Sequence, residues 1–119
     1  MVMSKYFSNA ETTCKDNCGF DIQPGFARRL DELRDKVGFP LVLTSAARCP
    51  IHNAKVGGAP KSKHMEGIAA DIDTTKLSPA QRYNLLKSAL ELGFTVGINA
   101  VFLHVDTRPG DPLIFTYAM

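Results

Sequence analysis

The sequence has few cysteines and lacks long apolar runs. Its 119 residues include three cysteines, which cannot all pair within one chain, so a disulfide framework is disfavoured and a reducing compartment is favoured. No apolar run approaches the roughly 20 residues needed to cross a bilayer. The first residues have neither the apolar stretch nor the cleavage site of a secretory signal. These absences predict a soluble protein that is cytoplasmic as synthesised.

Basic runs, internal repeats and low-complexity segments are also absent. The formal net charge is only +2, and lysine and arginine form no stripe, which argues against a nucleic-acid partner. Apolar residues make up 45% and charged residues 22% of the chain, as in ordinary globular domains. We expect one domain over residues 1–119, present as a monomer, with an irregular lead-in over residues 1–22 that has room for a short helix near Glu11.

Two segments have the pattern of amphipathic helices. The first begins at Pro24, ends at Gly38 and spaces its apolar residues four, three and four apart. These residues are Phe26, Leu30, Leu33 and Val37. The second begins with Ser78, which can cap the helix together with Gln81, and ends at Gly93. These patterns predict the two main helices.

Five short segments have strand-like composition: 41–44, 68–73, 94–98, 101–107 and 113–117. The short turns between the last three predict antiparallel neighbours. Residues 45–68 are rich in glycine and small polar residues, which indicates a long loop with at most a short helix over 51–54; such loops are usually functional. The predicted fold class is α+β, with two main helices on an antiparallel-rich sheet and a long active-site loop.

Three residues have the chemistry of a zinc site. His64, Asp71 and His104 offer two imidazoles and a carboxylate, and three such ligands leave a fourth tetrahedral position open for water, as in catalytic rather than structural sites. On residue types alone, the simpler interpretation is a surface histidine, a core histidine and a turn carboxylate. The surrounding residues decide between these interpretations.

The stretch from Ser62 to Asp71 has the pattern Ser-x-His-x-x-Gly-x-Ala-x-Asp, and His104 follows in an apolar strand. A Ser-x-x-Arg motif, Ser45 to Arg48, lies upstream. Together these motifs resemble the zinc D-alanyl-D-alanine carboxypeptidases, LAS-type metallopeptidases that include phage L-alanyl-D-glutamate endopeptidases and, more distantly, Hedgehog domains. The resemblance extends over roughly residues 24 to 107.

The resemblance implies a Hedgehog/DD-peptidase-like fold and a Zn²⁺ cofactor held by His64, Asp71 and His104. It implies that Arg48 binds the scissile carbonyl oxygen or a substrate carboxylate, although a solvated loop arginine is the alternative. Ser45 and Ser62 are the accompanying substrate-binding candidates. The implied activity is hydrolysis of peptidoglycan peptide bonds, by a carboxypeptidase or an endopeptidase, in phage-type cell-wall lysis or remodelling, after release from the cell or as a virion component.

The general base of the family is missing. Many relatives have an acidic residue three positions before the last histidine, where Val101 stands, and others have a histidine at the position of Phe102. Asp106 is our leading candidate for a catalytic base, because strand alternation puts it on the same face as His104. An equally good alternative is that Asp106 orients His104 or starts the turn at Arg108.

Other titratable residues are weaker candidates. Glu66 is expected to face solvent, Asp73 to stabilise the following turn, and His52 to be a solvated loop histidine rather than a catalytic group. The three cysteines lack an evident fourth ligand and the usual paired spacing of a zinc site, so buried thiols are the preferred interpretation. They are Cys14, Cys18 and Cys49.

Two other functions stay open. The missing base is compatible with a catalytically inactive zinc-binding module, either structural or virion-associated. A small cytoplasmic dipeptidase that cleaves free D-Ala-D-Ala would have the same zinc site. The sequence does not choose the bond that is cut.

Overall fold

A computed structural model describes residues 3–16 and 18–117 of the chain. The elements in chain order are α1 (Asn9–Thr12), α2 (Pro24–Val37), β1 (Leu43–Ser45), α3 (Pro50–Lys55), a 3-10 helix (Lys63–Glu66), β2 (Ala69–Asp73), α4 (Pro79–Glu91), β3 (Thr95–Ile98), β4 (Phe102–Asp106) and β5 (Ile114–Thr116). Helices and strands are interspersed around one five-stranded mixed sheet. This arrangement confirms the α+β class and is compatible with the Hedgehog/DD-peptidase-like fold.

The two main helices, α2 and α4, form where the apolar spacing predicts them. The four spaced apolar residues of α2 are all buried, and the helix ends at a left-handed Gly38. At the start of α4, Ser78 Oγ accepts a hydrogen bond from Gln81 N at 3.1 Å, and Gln81 Oε1 accepts one from Ser78 N at 2.9 Å. This reciprocal pair satisfies two backbone donors that the helix itself cannot use.

The sheet has the strand order β1-β2-β4-β3-β5. All neighbours are antiparallel except β3 and β5, which are parallel. The prediction that β5 would be an antiparallel neighbour of β4 is therefore wrong. Both edges of β4 are already hydrogen-bonded, to β2 and to β3, so the next strand has no free edge there and pairs with the outer edge of β3 instead.

The alternation of side chains separates the core from the polar residues. Ala70 and Ile72 of β2 and Leu103 and Val105 of β4 join the core that α2 and α4 cover. The intervening residues of the same strands, which include Asp71 and His104, point to the opposite face. The candidate site therefore lies on the sheet face turned away from the two main helices.

The lead-in packs beside β1 and the segment that follows it. Phe7 is buried in the core, and Ala47 N donates to Thr12 O at 3.2 Å, so the lead-in contacts the segment that follows β1. The short helices α1 and α3 lie at the two places where the sequence allowed a short helix, near Glu11 and over residues 51–54. Residues 1, 2 and 17 of the predicted lead-in lie outside the described residues. Over residues 3–16 and 18–117, no helix has the length and apolar character to span a membrane.

Candidate metal centre

The three predicted zinc ligands converge on one point. Residues Asp71 and His104 are directly paired across β2 and β4, and His64 reaches them from the 3-10 helix. Asp71 Oδ1 lies 3.2 Å from His64 Nε2 and 3.0 Å from His104 Nδ1. All three side chains are buried, and their donor atoms lie within 4.8 Å of one another.

In both His64 and His104, the ring nitrogen that does not contact Asp71 lies beside a hydrogen-bond acceptor. His64 Nδ1 donates to the backbone carbonyl of Ala46 at 2.6 Å, and His104 Nε2 donates to Asp106 Oδ2 at 2.7 Å. Neither a carbonyl nor a carboxylate has a hydrogen to give, so these nitrogens would carry the ring protons when the other nitrogen of each ring binds a metal. His64 Nε2 and His104 Nδ1, the nitrogens that lie beside Asp71, would then be free to bind the metal.

The spacing of the donor atoms fits zinc. With zinc–ligand distances of about 2.0–2.1 Å, neighbouring ligand atoms of a tetrahedron are about 3.4 Å apart. The separations of 3.0 and 3.2 Å from Asp71 Oδ1 are close to this value. Burial raises the pKa of Asp71, but the imidazoles of His104 and His64 outweigh it and lower the pKa to about 2. The carboxylate is thus ionised and ready to bind a cation.

Asp106 lies behind His104 and is fully buried. Besides His104, it accepts hydrogen bonds from Arg108: from Nε at 2.9 Å, from Nη2 at 2.6 Å and from the backbone N at 3.1 Å. These donors hold the pKa of Asp106 well below its usual range despite burial. Among the described residues, the side chains that line the adjacent cleft do not include Asp106. Its surroundings are those of the orienting role that the sequence left open.

Arg48 lines a cleft of about 650 Å³ that opens beside the three ligands. Its backbone N donates to His64 O at 3.0 Å, which ties the loop after β1 to the 3-10 helix. Its Nε is buried and has no hydrogen-bond partner in the part of the chain that the structure describes. Burial lowers the pKa of Arg48, and the nearby charge of Asp71 opposes this shift. An unused, buried N–H donor on a half-buried cation is suited to a substrate oxygen.

The two predicted substrate-binding serines also line this cleft. Ser45 is the last residue of β1 and is half-buried. Ser62 Oγ accepts a hydrogen bond from His64 N at 3.2 Å, so it caps the 3-10 helix that presents His64. Ser62 thus has a structural contact that the sequence pattern did not reveal.

Aromatic residues form a wall of the cleft that sequence reasoning missed. Phe102, Phe115 and Tyr117 line it, and the ring centroids of Phe115 and Tyr117 lie 5.5 and 6.3 Å from that of His104. The rings cross Gly97, where any side chain would collide with both of them. Burial raises the pKa of Tyr117 to about 12, with a further contribution from the charge of Asp71. The only sequence signal for this wall was the alternation of side chains in β4, which puts Phe102 on the same face as His104.

The weaker candidates lie apart from the ligands. Glu66 is exposed and pairs with Lys63 at 2.8 Å, and Asp73 accepts hydrogen bonds from the backbone and hydroxyl of Thr75, both as expected. The expectation of a solvated loop histidine is wrong for His52: it lies in α3, is half-buried and lines the cleft, with Nδ1 3.9 Å from Asp16 Oδ1. Val101 is 53% exposed.

The three cysteines come together, and Cys49 is the residue that follows Arg48. The expectation of buried thiols is correct for Cys14 but wrong for Cys18, which is exposed, and Cys49 is half-buried. Cys18 lies in a turn of the lead-in rather than in an element that packs on the core, so solvent reaches it.

Comparison with known proteins agrees with the motif. A family model described as Peptidase M15 matches residues 3–106, which is most of the chain. A search of curated proteins found no match. The matched segment contains the 3-10 helix, β2 and β4 with the converging histidines and aspartate, and the family is one of zinc-dependent metallopeptidases. The chain therefore belongs to the peptidase M15 family, the zinc D-alanyl-D-alanine carboxypeptidase family that its motifs resemble.

Proposed function

We propose that this chain hydrolyses peptide bonds of peptidoglycan with a zinc ion held by His64, Asp71 and His104. The observation that carries the proposal is the convergence of His64 Nε2, Asp71 Oδ1 and His104 Nδ1, with the remaining ring nitrogens already used by acceptors. Zinc bound there supplies Lewis-acid activation of water and of the scissile carbonyl.

Arg48 is the proposed substrate-binding cation. Its unpartnered Nε and its position beside Asp71 support contact with the scissile carbonyl oxygen or a substrate carboxylate. Positive charge fixed near developing negative charge stabilises the transition state more than the ground state. Ser45 and Ser62, at the same cleft, are proposed to bind the substrate backbone.

The charges of the cleft support an anionic substrate. Among the described lining residues, Asp71 is the one acidic side chain, whereas five are basic: Lys15, Arg48, Lys61, Lys63 and Arg108. A zinc ion would add further positive charge. Such a cleft attracts peptides that carry free carboxylates, as peptidoglycan stem peptides do. The aromatic wall supplies an apolar surface for their short side chains.

For Asp106 we propose the orienting role, in which it fixes the His104 ring through Nε2. Its burial and its hydrogen bonds from Arg108 support this role over that of a proton shuttle. The absence of a carboxylate other than Asp71 among the described lining residues favours the second candidate function. That candidate is a zinc-binding module without turnover, structural or virion-associated.

The test uses the purified, zinc-loaded chain on isolated peptidoglycan. We expect new peptide termini, identified by mass spectrometry, with loss of this activity in His64→Ala and full activity in the matched control Glu66→Gln. Glu66 belongs to the same motif but is exposed. Turnover that survives in His64→Ala would refute the zinc mechanism. Stoichiometric zinc without turnover on any peptidoglycan substrate would favour the inactive module.

The same products identify the bond. Release of free D-alanine supports a carboxypeptidase, and release of cross-linked or stem peptides supports an endopeptidase of the phage lytic type. Cleavage of free D-Ala-D-Ala without attack on the wall would support a cytoplasmic dipeptidase. We propose the wall as the substrate, and amidation of the substrate carboxylates is expected to slow the reaction because of the basic cleft.

A further inference from the structure

Three thiols from two distant segments meet, and one of them belongs to Cys49, the residue that follows Arg48. Cys14 follows α1, Cys18 lies in the next turn, and Cys49 precedes α3. The sulfur of Cys14 is 3.6 Å from that of Cys49, and all three sulfurs lie within 4.8 Å of one another. The segments that carry them are 35 residues apart in sequence. The proposed hydrolysis makes no use of this cluster.

The spacing of the sulfurs is that of a metal–thiolate site. With zinc–sulfur bonds of about 2.3 Å, two sulfurs of a tetrahedral site are about 3.8 Å apart. The Cys14–Cys49 separation of 3.6 Å is close to this value, whereas a disulfide has its sulfurs about 2.05 Å apart. The third sulfur, within 4.8 Å, reaches a tetrahedral position after a small movement. Cys18 is exposed, so its side chain is not held in the core against such a movement.

Hydrogen bonds prepare Cys14 to act as a thiolate. The backbone N of Cys49 donates to Cys14 Sγ at 3.4 Å. The thiolate is the form that binds metals, and hydrogen bonds to sulfur stabilise it.

We propose that Cys14, Cys18 and Cys49 form a second metal site, which binds Zn²⁺ or another thiophilic divalent cation, with water in the fourth position. Three soft sulfur ligands select zinc over magnesium or calcium. The exposure of Cys18 provides a path for the ion and for the water ligand.

A metal at this site would attach the lead-in to the start of α3. A backbone hydrogen bond from Ala47 N to Thr12 O already links α1 to the loop after β1. Cys49 is the residue next to Arg48, whose backbone is in turn bonded to His64. The bound ion therefore restrains the segment that positions Arg48, and we expect it to raise the unfolding temperature.

The test counts metal ions in the fully reduced chain. We expect two zinc ions per chain after loading and dialysis, one in Cys18→Ser and in Cys49→Ser, and one in His64→Ala. Cys18→Ser is the decisive thiol variant because its exposed side chain is not needed for the core. The matched control is Ser8→Ala, which changes a polar residue of the lead-in outside the cluster and should leave two ions.

Cobalt distinguishes this site from the histidine site. Cobalt bound to thiolates absorbs in the near ultraviolet by charge transfer from sulfur. We expect this band in the wild type and in His64→Ala, and its loss in Cys18→Ser. The band does not depend on peptidase activity, so it tests the thiol site even if the proposed function fails. Absence of the band in a wild-type chain whose three thiols titrate as free, or a disulfide that persists under reduction, would overturn the proposal.

Discussion

The substitution Asp106→Asn separates the two roles that the sequence leaves open for this residue. The carboxylate accepts from His104 Nε2 and from three N–H groups of Arg108. An amide has one acceptor oxygen, and its NH₂ group would face either His104 or Arg108 as donor against donor. The variant therefore deprives one of them of its partner and removes the negative charge behind the imidazole.

The expected magnitude follows from the orienting role. Loss of a carboxylate that fixes a ligating histidine typically weakens metal affinity about 10–100-fold, which is about 1.4–2.7 kcal/mol of binding free energy. We expect this loss in zinc affinity, with much of the turnover restored at saturating zinc. A proton-shuttling role gives the opposite pattern: unchanged zinc affinity and a rate lower by about 10²–10⁴-fold at saturating zinc.

The assay is competition for zinc with a chromophoric chelator, together with turnover measured over a range of zinc concentrations. The matched control is Asp73→Asn, which removes a carboxylate from β2 that accepts hydrogen bonds within its own turn, from Thr75. Its zinc affinity should equal that of the wild type. Unchanged zinc affinity in Asp106→Asn, with near-ultraviolet circular dichroism showing a native fold, would refute the orienting role.

Three further predictions concern the cleft and the ligands. Arg48→Gln should lower turnover about 10²–10³-fold, as loss of one oxyanion donor does, with zinc content unchanged; a normal rate contradicts the proposed role. Gly97→Ala should cost about 1–3 kcal/mol of stability by denaturant unfolding, because the new methyl group meets Phe115; equal midpoints would argue against this contact. The zinc-induced rise in unfolding temperature should shrink from about pH 8 to about pH 5, since zinc needs neutral His104. A zinc-induced rise in unfolding temperature that does not change with pH would contradict this prediction.

The sign of the pH effect follows from the pKa of His104. Burial lowers this pKa, but hydrogen bonds to Asp106 and Asp71 outweigh burial and raise it above the ordinary value. In the metal-free protein, His104 therefore contributes stability that is fully present below its unfolded pKa of about 6.5 and is lost as pH rises through the folded pKa. A lower pH therefore stabilises the metal-free protein, whereas a higher pH favours zinc binding. Both trends make the zinc-induced rise in unfolding temperature smaller at low pH.

Local patterns predicted the elements whose residues interact with near neighbours in sequence. The helix α2 follows from apolar residues one turn apart, and the start of α4 from the pair Ser78 and Gln81. The ten-residue motif likewise put His64 and Asp71 near each other, because the left-handed Gly67 turns the chain from the 3-10 helix toward β2. Each of these interactions joins residues that lie close together in sequence.

Pairings between distant segments were not accessible in the same way. The parallel position of β5 depends on β4 having both edges occupied. The alternation of side chains in a strand puts Asp106 and His104 on one face. The hydrogen bonds from Arg108 to Asp106, however, depend on how the turn after β4 folds. The aromatic wall arises because β5 lies beside Gly97, and no local pattern in residues 113–117 indicates that pairing.

The sequence by itself determined the peptidase M15 family, the α+β class and the residue types of a zinc site, because these depend on motifs and on the period of apolar residues. Only the tertiary structure decided that Asp71 faces His104 across two strands, that Asp106 is buried behind the ligands, and that three cysteines meet. These contacts join segments far apart in sequence, so they depend on strand register and loop packing, which local propensity does not encode.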